Sequence, residues 1–393
     1  MPVTTAFGAR LLRGAVLAAL ALTPSGCLYT RIVYNGIPDL EAPTMFANRT
    51  VRRSAQPRPL PSRAHEARFQ LSPSEKAHYG SFDRLLEMAD TRAFLVLHDD
   101  EVVYERYFYG FDSETQLPGF SMTKTYAAVL VGRALDEGVL GSPNDSIVSY
   151  IPELASKPGY QQVTLDRLLR MTSGIDFSEE SMAGAQLYYS QNLRNFMYSF
   201  PVTQPPGGSY VYGSINVQLL WDALHRRLGG RQVATYFQER IWGPLGATHD
   251  ASWSLDSDES GIEKFFGGFN ATARDHARLG LLFLHGGNLN GSRILSQAWV
   301  ERSLTSDPIA GWVRTTDGLV RRGEYQWFLT PDGRGYFAKG YNGQYVFVAP
   351  HERTVFVRFG EGYGDVNWTA LFLRLASQLN ARQPQPPASG AAP

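Results

Sequence analysis

The chain has 393 residues, and its 37 lysines and arginines are matched by 37 aspartates and glutamates. A formal charge of zero argues against a nucleic-acid binder, which needs a basic surplus to neutralise phosphates. The length suits one large domain or two ordinary ones, and plentiful Tyr, Phe, Gly and Pro suit an ordered globular α/β chain rather than disorder.

The N-terminus reads as an export signal. Arg10 and Arg13 precede the apolar run Gly14 to Leu22, which is too short to span a bilayer. The single cysteine follows in "LTPSGC", which resembles a bacterial lipobox, although Pro24 stands where such boxes usually carry Leu. Two readings fit residues 1–27: a lipoprotein signal with Cys27 as the lipidated anchor, or an ordinary secretory signal. Leu28 after the cysteine favours the outer membrane by that resemblance. The expectation is an exported bacterial protein, periplasmic or anchored to the outer membrane through lipid. Cys27 has no partner cysteine, so no intramolecular disulfide forms.

Residues 28–75, rich in Pro and Arg around "PRPLPSRAHEARF", read as an extended arm before a domain over 76–380. "RAFLVLHDDEVVYERYFYG" predicts a hairpin turning at "HDDE". A helix is expected from Ser121, with Ala127, Leu130, Val131, Ala134 and Leu135 on one stripe and Gly138 as its stop. Residues 145–265 read as a mainly helical, loop-rich insert, and "ATARDHARLGLLFLHGG" as a further helix. The end returns to strands in "GQYVFVAP" and "RTVFVRFG", turned by "HER", and closes with the helix "WTALFLRLASQL". Strands at both ends of the domain imply one sheet assembled from distant segments. Residues 381–393 have the composition of a disordered tail.

Ser121 and Lys124 are three apart at a helix start, so their side chains share a face. A serine hydroxyl needs a base, and a lysine serves as one when its surroundings favour the neutral amine. Free N–H groups at the helix start, that of Ser121 included, suit an oxyanion. Alone the spacing is weak, because a serine there is more often a helix cap. Downstream, Tyr212, Gly213 and Ser214 precede another helix; a tyrosine beside a cation can act as general base, and Ser214 can pass a proton on. Packing is the competing reading for Tyr212 in this Tyr-rich stretch. In "GYNGQYVFVAP", Gly343 permits close approach of a substrate, and the N–H of Gln344 is a candidate second oxyanion donor. No G-x-S-x-G elbow occurs, which sets aside an α/β-hydrolase. Scattered histidines and one cysteine offer no metal-ligand spacing, and no cofactor is expected.

Ser-x-x-Lys, Tyr-x-Ser before a later helix, and a Gly-containing final strand, in that order, resemble the serine β-lactamase and penicillin-binding-protein superfamily. The likeness is to its class C β-lactamase, D-alanyl-D-alanine peptidase and esterase branch, over about residues 90 to 375. "TLDRLLRMTSGI", "GPLGATHDASW" and "GGFNATARDHARLGLLFLHGG" look like framework motifs of that branch. The resemblance implies an antiparallel sheet flanked by helices with a mostly helical second subdomain, an α/β (α+β) fold. It implies Ser121 as nucleophile, Lys124 as its activating partner, Tyr212 as acid/base, and the amides of Ser121 and Gln344 as the oxyanion hole. β-Lactamases of this branch carry Lys-Thr-Gly on the last strand, where the aligned triplet here is Tyr341-Asn342-Gly343. That departure, and Ser214 in place of Asn, are similar to 6-aminohexanoate-dimer hydrolase-like enzymes and carboxylesterases. Together they favour small ester or linear amide substrates over β-lactams. The resemblance also suggests Tyr188, Tyr189 and Trp327 near the substrate, with plain packing an equal reading for each. Two alternatives stay open: a penicillin-binding peptidase or weak β-lactamase, and a non-catalytic envelope lipoprotein using the cleft for binding.

Overall fold

The computed structural model describes residues 26–64 and 66–381. The expected signal up to residue 25, the side chain of Cys27 and the tail from 382 lie outside the described residues.

The hairpin expected at "HDDE" forms from β1 (Thr91–His98) and β2 (Glu101–Tyr107). Its turn residues Asp99 and Asp100 have φ of 48° and 66°, the left-handed pair a two-residue hairpin turn demands and aspartate tolerates. Six more strands complete the main sheet: β3 (Trp312–Thr315), β4 (Gly318–Arg322), β5 (Phe328–Leu329), β6 (Tyr336–Gly340), β7 (Gln344–Ala349) and β8 (Thr354–Gly360). All are antiparallel, in the order β2-β1-β8-β7-β6-β5-β4-β3. The first and last segments of the domain therefore meet at its centre, as the strand pattern implied. The short strands between 312 and 340 escaped the sequence reading because they alternate polar and apolar residues over only two to five positions.

Four helices matter for the site: α1 (Thr123–Asp136), α2 (Ser214–Arg227), which packs on α1, and α3 (Ala273–Leu284) and α4 (Trp368–Asn380), which pack on the sheet. On one face Phe94, Tyr345, Phe347 and Phe356 pack with Trp368 and Phe372 of α4. On the other, Leu95, Val346, Val355 and Val357 share a second core with α3 and the rear of α1. Both faces of β7 and β8 are buried, which accounts for their nearly unbroken apolar sequence. Among the described residues no helix is long and apolar enough to cross a membrane.

The segment expected as an extended arm is instead folded onto the domain. It contains the helix Gly26–Asn35 and the strand Asn48–Val51. That strand pairs with Ala251–Ser254 and so extends a second sheet, whose other strands are Phe269–Ala271 and Leu117–Pro118. Val51, Leu40 and Ala42 are buried. Further on, the N–H groups of Arg63 and Ala67 donate to the carbonyls of Val102 and Val103. Proline-rich composition hid a strand of four residues whose partner lies 200 positions away.

Helix α3 crosses the sheet closely because Gly280 has no side chain; a Cβ there would stand 2.5 Å from a methyl of Val355 and 3.1 Å from one of Val346. Gly280→Ala should therefore lower stability by about 1–3 kcal/mol despite its better helix propensity, since overpacking outweighs that gain. Urea unfolding with an unchanged slope checks this; a stabilised variant would mean the helix is free to lift.

Candidate active site

The turn that carries Ser121 is held from both sides. The N–H of Gly119 donates to Phe269 O at 2.9 Å, and a short 3₁₀ turn, Phe120–Met122, then runs into α1. Phe120 has φ of 45°, a left-handed conformation unfavourable for a bulky residue and typical of strained functional turns. Ser121 does not cap the helix: no side-chain cap bond forms at either helix start. Its Oγ accepts a hydrogen bond from Lys124 Nζ at 2.9 Å. The capping alternative is thereby removed.

Lys124 is 2 % exposed. Its Nζ donates a second bond, also 2.9 Å, to Phe266 O, and sits 5.1 Å from the ring centre of Tyr212. Ser121, Lys124 and Tyr212, three residues from two distant motifs, thus surround one point. Phe266 had no sequence signal, because a main-chain carbonyl can come from any residue type.

Tyr212 is set by the backbone around it. Val211 N–H donates to Met171 O at 3.0 Å, and Asn216 Nδ2 donates to Gly213 O at 2.9 Å. Ser214, fully buried at the first turn of α2, gives its N–H to Glu179 Oε2 at 2.7 Å and its hydroxyl to Glu179 Oε1 at 2.6 Å. The Ser214 hydroxyl, expected to relay a proton, is committed to this carboxylate. Glu179 was not singled out by the sequence; only the fold brings it to the start of α2.

The strand beside the nucleophile is β6. A Cβ on Gly340 would stand 2.2 Å from Gly119 O, so the strand end is pressed against the nucleophile turn. The alignment of Tyr341-Asn342-Gly343 with the strand triplet therefore shifts to Ala338-Lys339-Gly340. Side chains alternate along a strand. Ala338 faces the core shared with α1 and α3, while Lys339 faces the other side, where its Nζ meets Asp317 Oδ2 at 2.6 Å and lies 5.1 Å from the Tyr345 ring. Burial lowers the affinity of the Lys339 amine for its proton, against the pull of Asp317. No cation from this strand reaches Ser121.

Three more expectations change. Gln344 is fully buried behind the hairpin, paired with Gly340, and its side chain clasps both the N–H and the C=O of Gly360 at 2.9 and 2.8 Å. It lies directly across the hairpin from the strand end, whereas the residue that follows Gly340 there is Tyr341, 47 % exposed and edge-on to Phe120 at 6.1 Å. Trp327 is wholly buried against Phe283 and Tyr336, a core residue. Tyr189 is buried with its hydroxyl donating to Gly36 O at 2.8 Å, and burial pushes its phenol up to about 12. Asn342 and Gly343 form the left-handed hairpin tip, with φ of 57° and 83°. Tyr188 does reach the wall of the site: its ring meets Phe266 edge-on at 6.5 Å and Phe46 at 5.4 Å. Among the described residues no group of three His, Cys, Asp or Glu side chains is placed to hold a metal ion.

A model of the beta-lactamase family matches residues 83–370. The chain belongs to this family of serine hydrolases. It is 30 % identical over 333 residues to 6-aminohexanoate-dimer hydrolase of Paenarthrobacter ureafaciens, covering 76 % of this chain and 82 % of that one. In fold it is similar to a candidate 6-aminohexanoate-dimer hydrolase from Bacillus anthracis, with a TM-score of 0.72 at 22 % identity over 92 % of this chain and 97 % of the other. It is also similar to a family VIII carboxylesterase, with a TM-score of 0.61 at 18 % identity over 80 % and 99 %. The resemblance read from the motifs, and the β-lactamase fold with it, is the correct one.

The segment behind Lys124 depends on a buried carboxylate. Glu263, 1 % exposed, accepts from Arg49 at 2.6 Å, from Trp221 Nε1 at 2.8 Å and from the N–H of Ala234 at 3.0 Å. Arg49→Ala leaves that charge without its cation. The expected loss is about 2–4 kcal/mol, below a fully enclosed pair because the arginine keeps some water contact. Denaturant unfolding beside Glu263→Gln tests it; the double variant should recover part of the loss.

Proposed function

We propose that the protein hydrolyses small esters or linear amides through an acyl-enzyme on Ser121. The observation that carries this reading is the 2.9 Å bond between Ser121 Oγ and the buried Lys124 amine, with Tyr212 beside it. Ser121 Oγ attacks the carbonyl carbon and its proton passes to the Lys124 amine. The oxyanion lies between the N–H groups of Ser121 and Tyr341, the latter chosen because Gly340 abuts the nucleophile turn. Collapse breaks the bond to the alcohol or amine, which leaves with a proton delivered through Tyr212. Water then attacks the acyl carbon, gives a proton back along the same route, and the acid departs with Ser121 restored.

Substrate preference follows from Lys339. Its ammonium is held by Asp317 on the opposite face, so a substrate carboxylate finds no partner on this strand. This supports esters and linear amides over β-lactams, in keeping with the activity for which the Paenarthrobacter relative is named. Export, with a lipid on Cys27, belongs to the same reading and rests on the sequence before residue 28. Mass analysis of the mature N-terminus checks it: an acylated Cys27 supports anchoring, and an uncut Met1 sinks export.

A fluorophosphonate probe should add one adduct to the wild type and none to Ser121→Ala. Lys124→Ala and Tyr212→Phe should each lower kcat by about 10²- to 10⁴-fold. Short p-nitrophenyl esters should be turned over faster than nitrocefin, and the reverse order would favour the β-lactamase reading. Absence of any adduct on folded protein would leave the binding-protein reading in front.

A further inference from the structure

The hydrolase mechanism leaves unused a second buried lysine near the site. Lys264 is 1 % exposed and belongs to the same segment, Glu263 to Gly268, that offers the Phe266 carbonyl to Lys124. No carboxylate lies within ion-pair reach of it among the described residues. Its Nζ donates to Tyr188 O at 2.6 Å and stands 4.4 Å from the ring centre of Phe46 and 5.7 Å from that of Tyr188.

These contacts join three segments that are far apart in sequence. Phe46 comes from the N-terminal segment, Tyr188 from the helix Met182–Tyr189, and Lys264 from the segment behind the catalytic lysine. Phe46 meets Tyr188, Tyr188 meets Phe266, and Phe266 O takes one proton of Lys124. The rest of the segment is already fastened: Glu263 as above, Phe265 N–H to Gln218 Oε1 at 3.0 Å, and Phe269 N–H to Thr123 Oγ1 at 3.1 Å. Lys264 is its tie to the site wall.

We propose that Lys264 is a positioning residue for the Ser121–Lys124 pair, and that through Phe46 it makes the N-terminal segment part of the active centre. Resting on the serine-hydrolase reading, the proposal adds what keeps the catalytic amine on Ser121. An ammonium between two rings, hydrogen-bonded to the Tyr188 carbonyl, draws the wall onto the segment by cation–π attraction and charge-assisted bonding. Burial opposes that charge, bringing the amine down to about 7, with Asp256 raising it and Arg31 lowering it. The tie is therefore weaker in alkali.

Lys264→Met, Lys264→Arg and Phe46→Leu would be assayed for ester turnover and for the rate of fluorophosphonate addition to Ser121. Lys264→Met should lose about 10- to 100-fold in kcat and labelling rate with KM within about threefold, as for a group acting through another. Lys264→Arg should restore most of the rate, and Phe46→Leu should fall in between. A second readout is stability against pH. Between about 7 and 10.5 the folded amine is bare while the unfolded one still holds its proton, so wild-type stability relative to Lys264→Met should rise across that window. If Lys264→Met does not fold, the arginine and Phe46 variants decide through the same rates. Wild-type kcat and labelling in Lys264→Met, or in Phe46→Leu if that variant alone is folded, overturns the proposal. A wild type that takes no probe overturns it together with the hydrolase reading, whereas normal wild-type labelling with unaffected variants overturns the positioning role alone.

Discussion

Everything around the site depends on keeping one lysine amine out of water and on target. Lys124 is enclosed, with Ser121 Oγ and Phe266 O as its hydrogen-bond acceptors and the face of Tyr212 beside it. The fold provides the enclosure by bringing three chain segments to one helix start: the strained turn at Phe120, the segment behind α1, and the loop before α2. None of these segments is regular enough to hold its shape alone. Each is fastened by main-chain bonds to a neighbour, and the neighbours are fastened by Glu263, Glu179 and Asn216.

The facing of Lys339 follows from the two-residue period of a strand. With Ala338 and Gly340 toward the nucleophile, the intervening Lys339 must face the other way, where Asp317 and the rings of Tyr345 and Tyr363 receive it. A lysine one place earlier or later would face the other side of the sheet; here it packs with the core under α4. Gly340 is equally fixed, since any side chain would strike the carbonyl of Gly119. The same strand thus decides both how near the nucleophile lies and which charge it does not meet.

The N-terminal segment shows how far the site extends. A strand from residues 48–51 and the ring of Phe46 lie against the elements that hold Tyr188 and Lys264. A chain lacking this segment would uncover the edge of the strand Ala251–Ser254, leave Glu263 without Arg49 and open one side of the aromatic wall. The domain boundary read near residue 76 cuts through these contacts.

Much was legible without coordinates. That Ser121, Lys124 and Tyr212 lie together was legible because few residue types suit such a site, and local spacing places them at helix starts. The β1–β2 hairpin, α1, α3 and the closing β7–β8–α4 unit carry their own periodicity and turn signals. Less visible were contacts made by backbone or by distance: the Phe266 carbonyl, the Glu179 clasp, the pairing of residues 48–51, and the facing of Lys339 rather than Tyr341. The clasp of the Gln344 side chain on Gly360 and the burial of Trp327, for which substrate contact and plain packing were equal readings, were hidden for a related reason, since sequence gives a residue's neighbours along the chain but not which side of a sheet they occupy. The sequence by itself determined the family and put Ser121, Lys124 and Tyr212 forward as one candidate site. Tertiary structure alone decided which carbonyl holds the lysine, which strand end meets the serine and which way Lys339 faces, because those depend on register and packing between segments more than 200 residues apart.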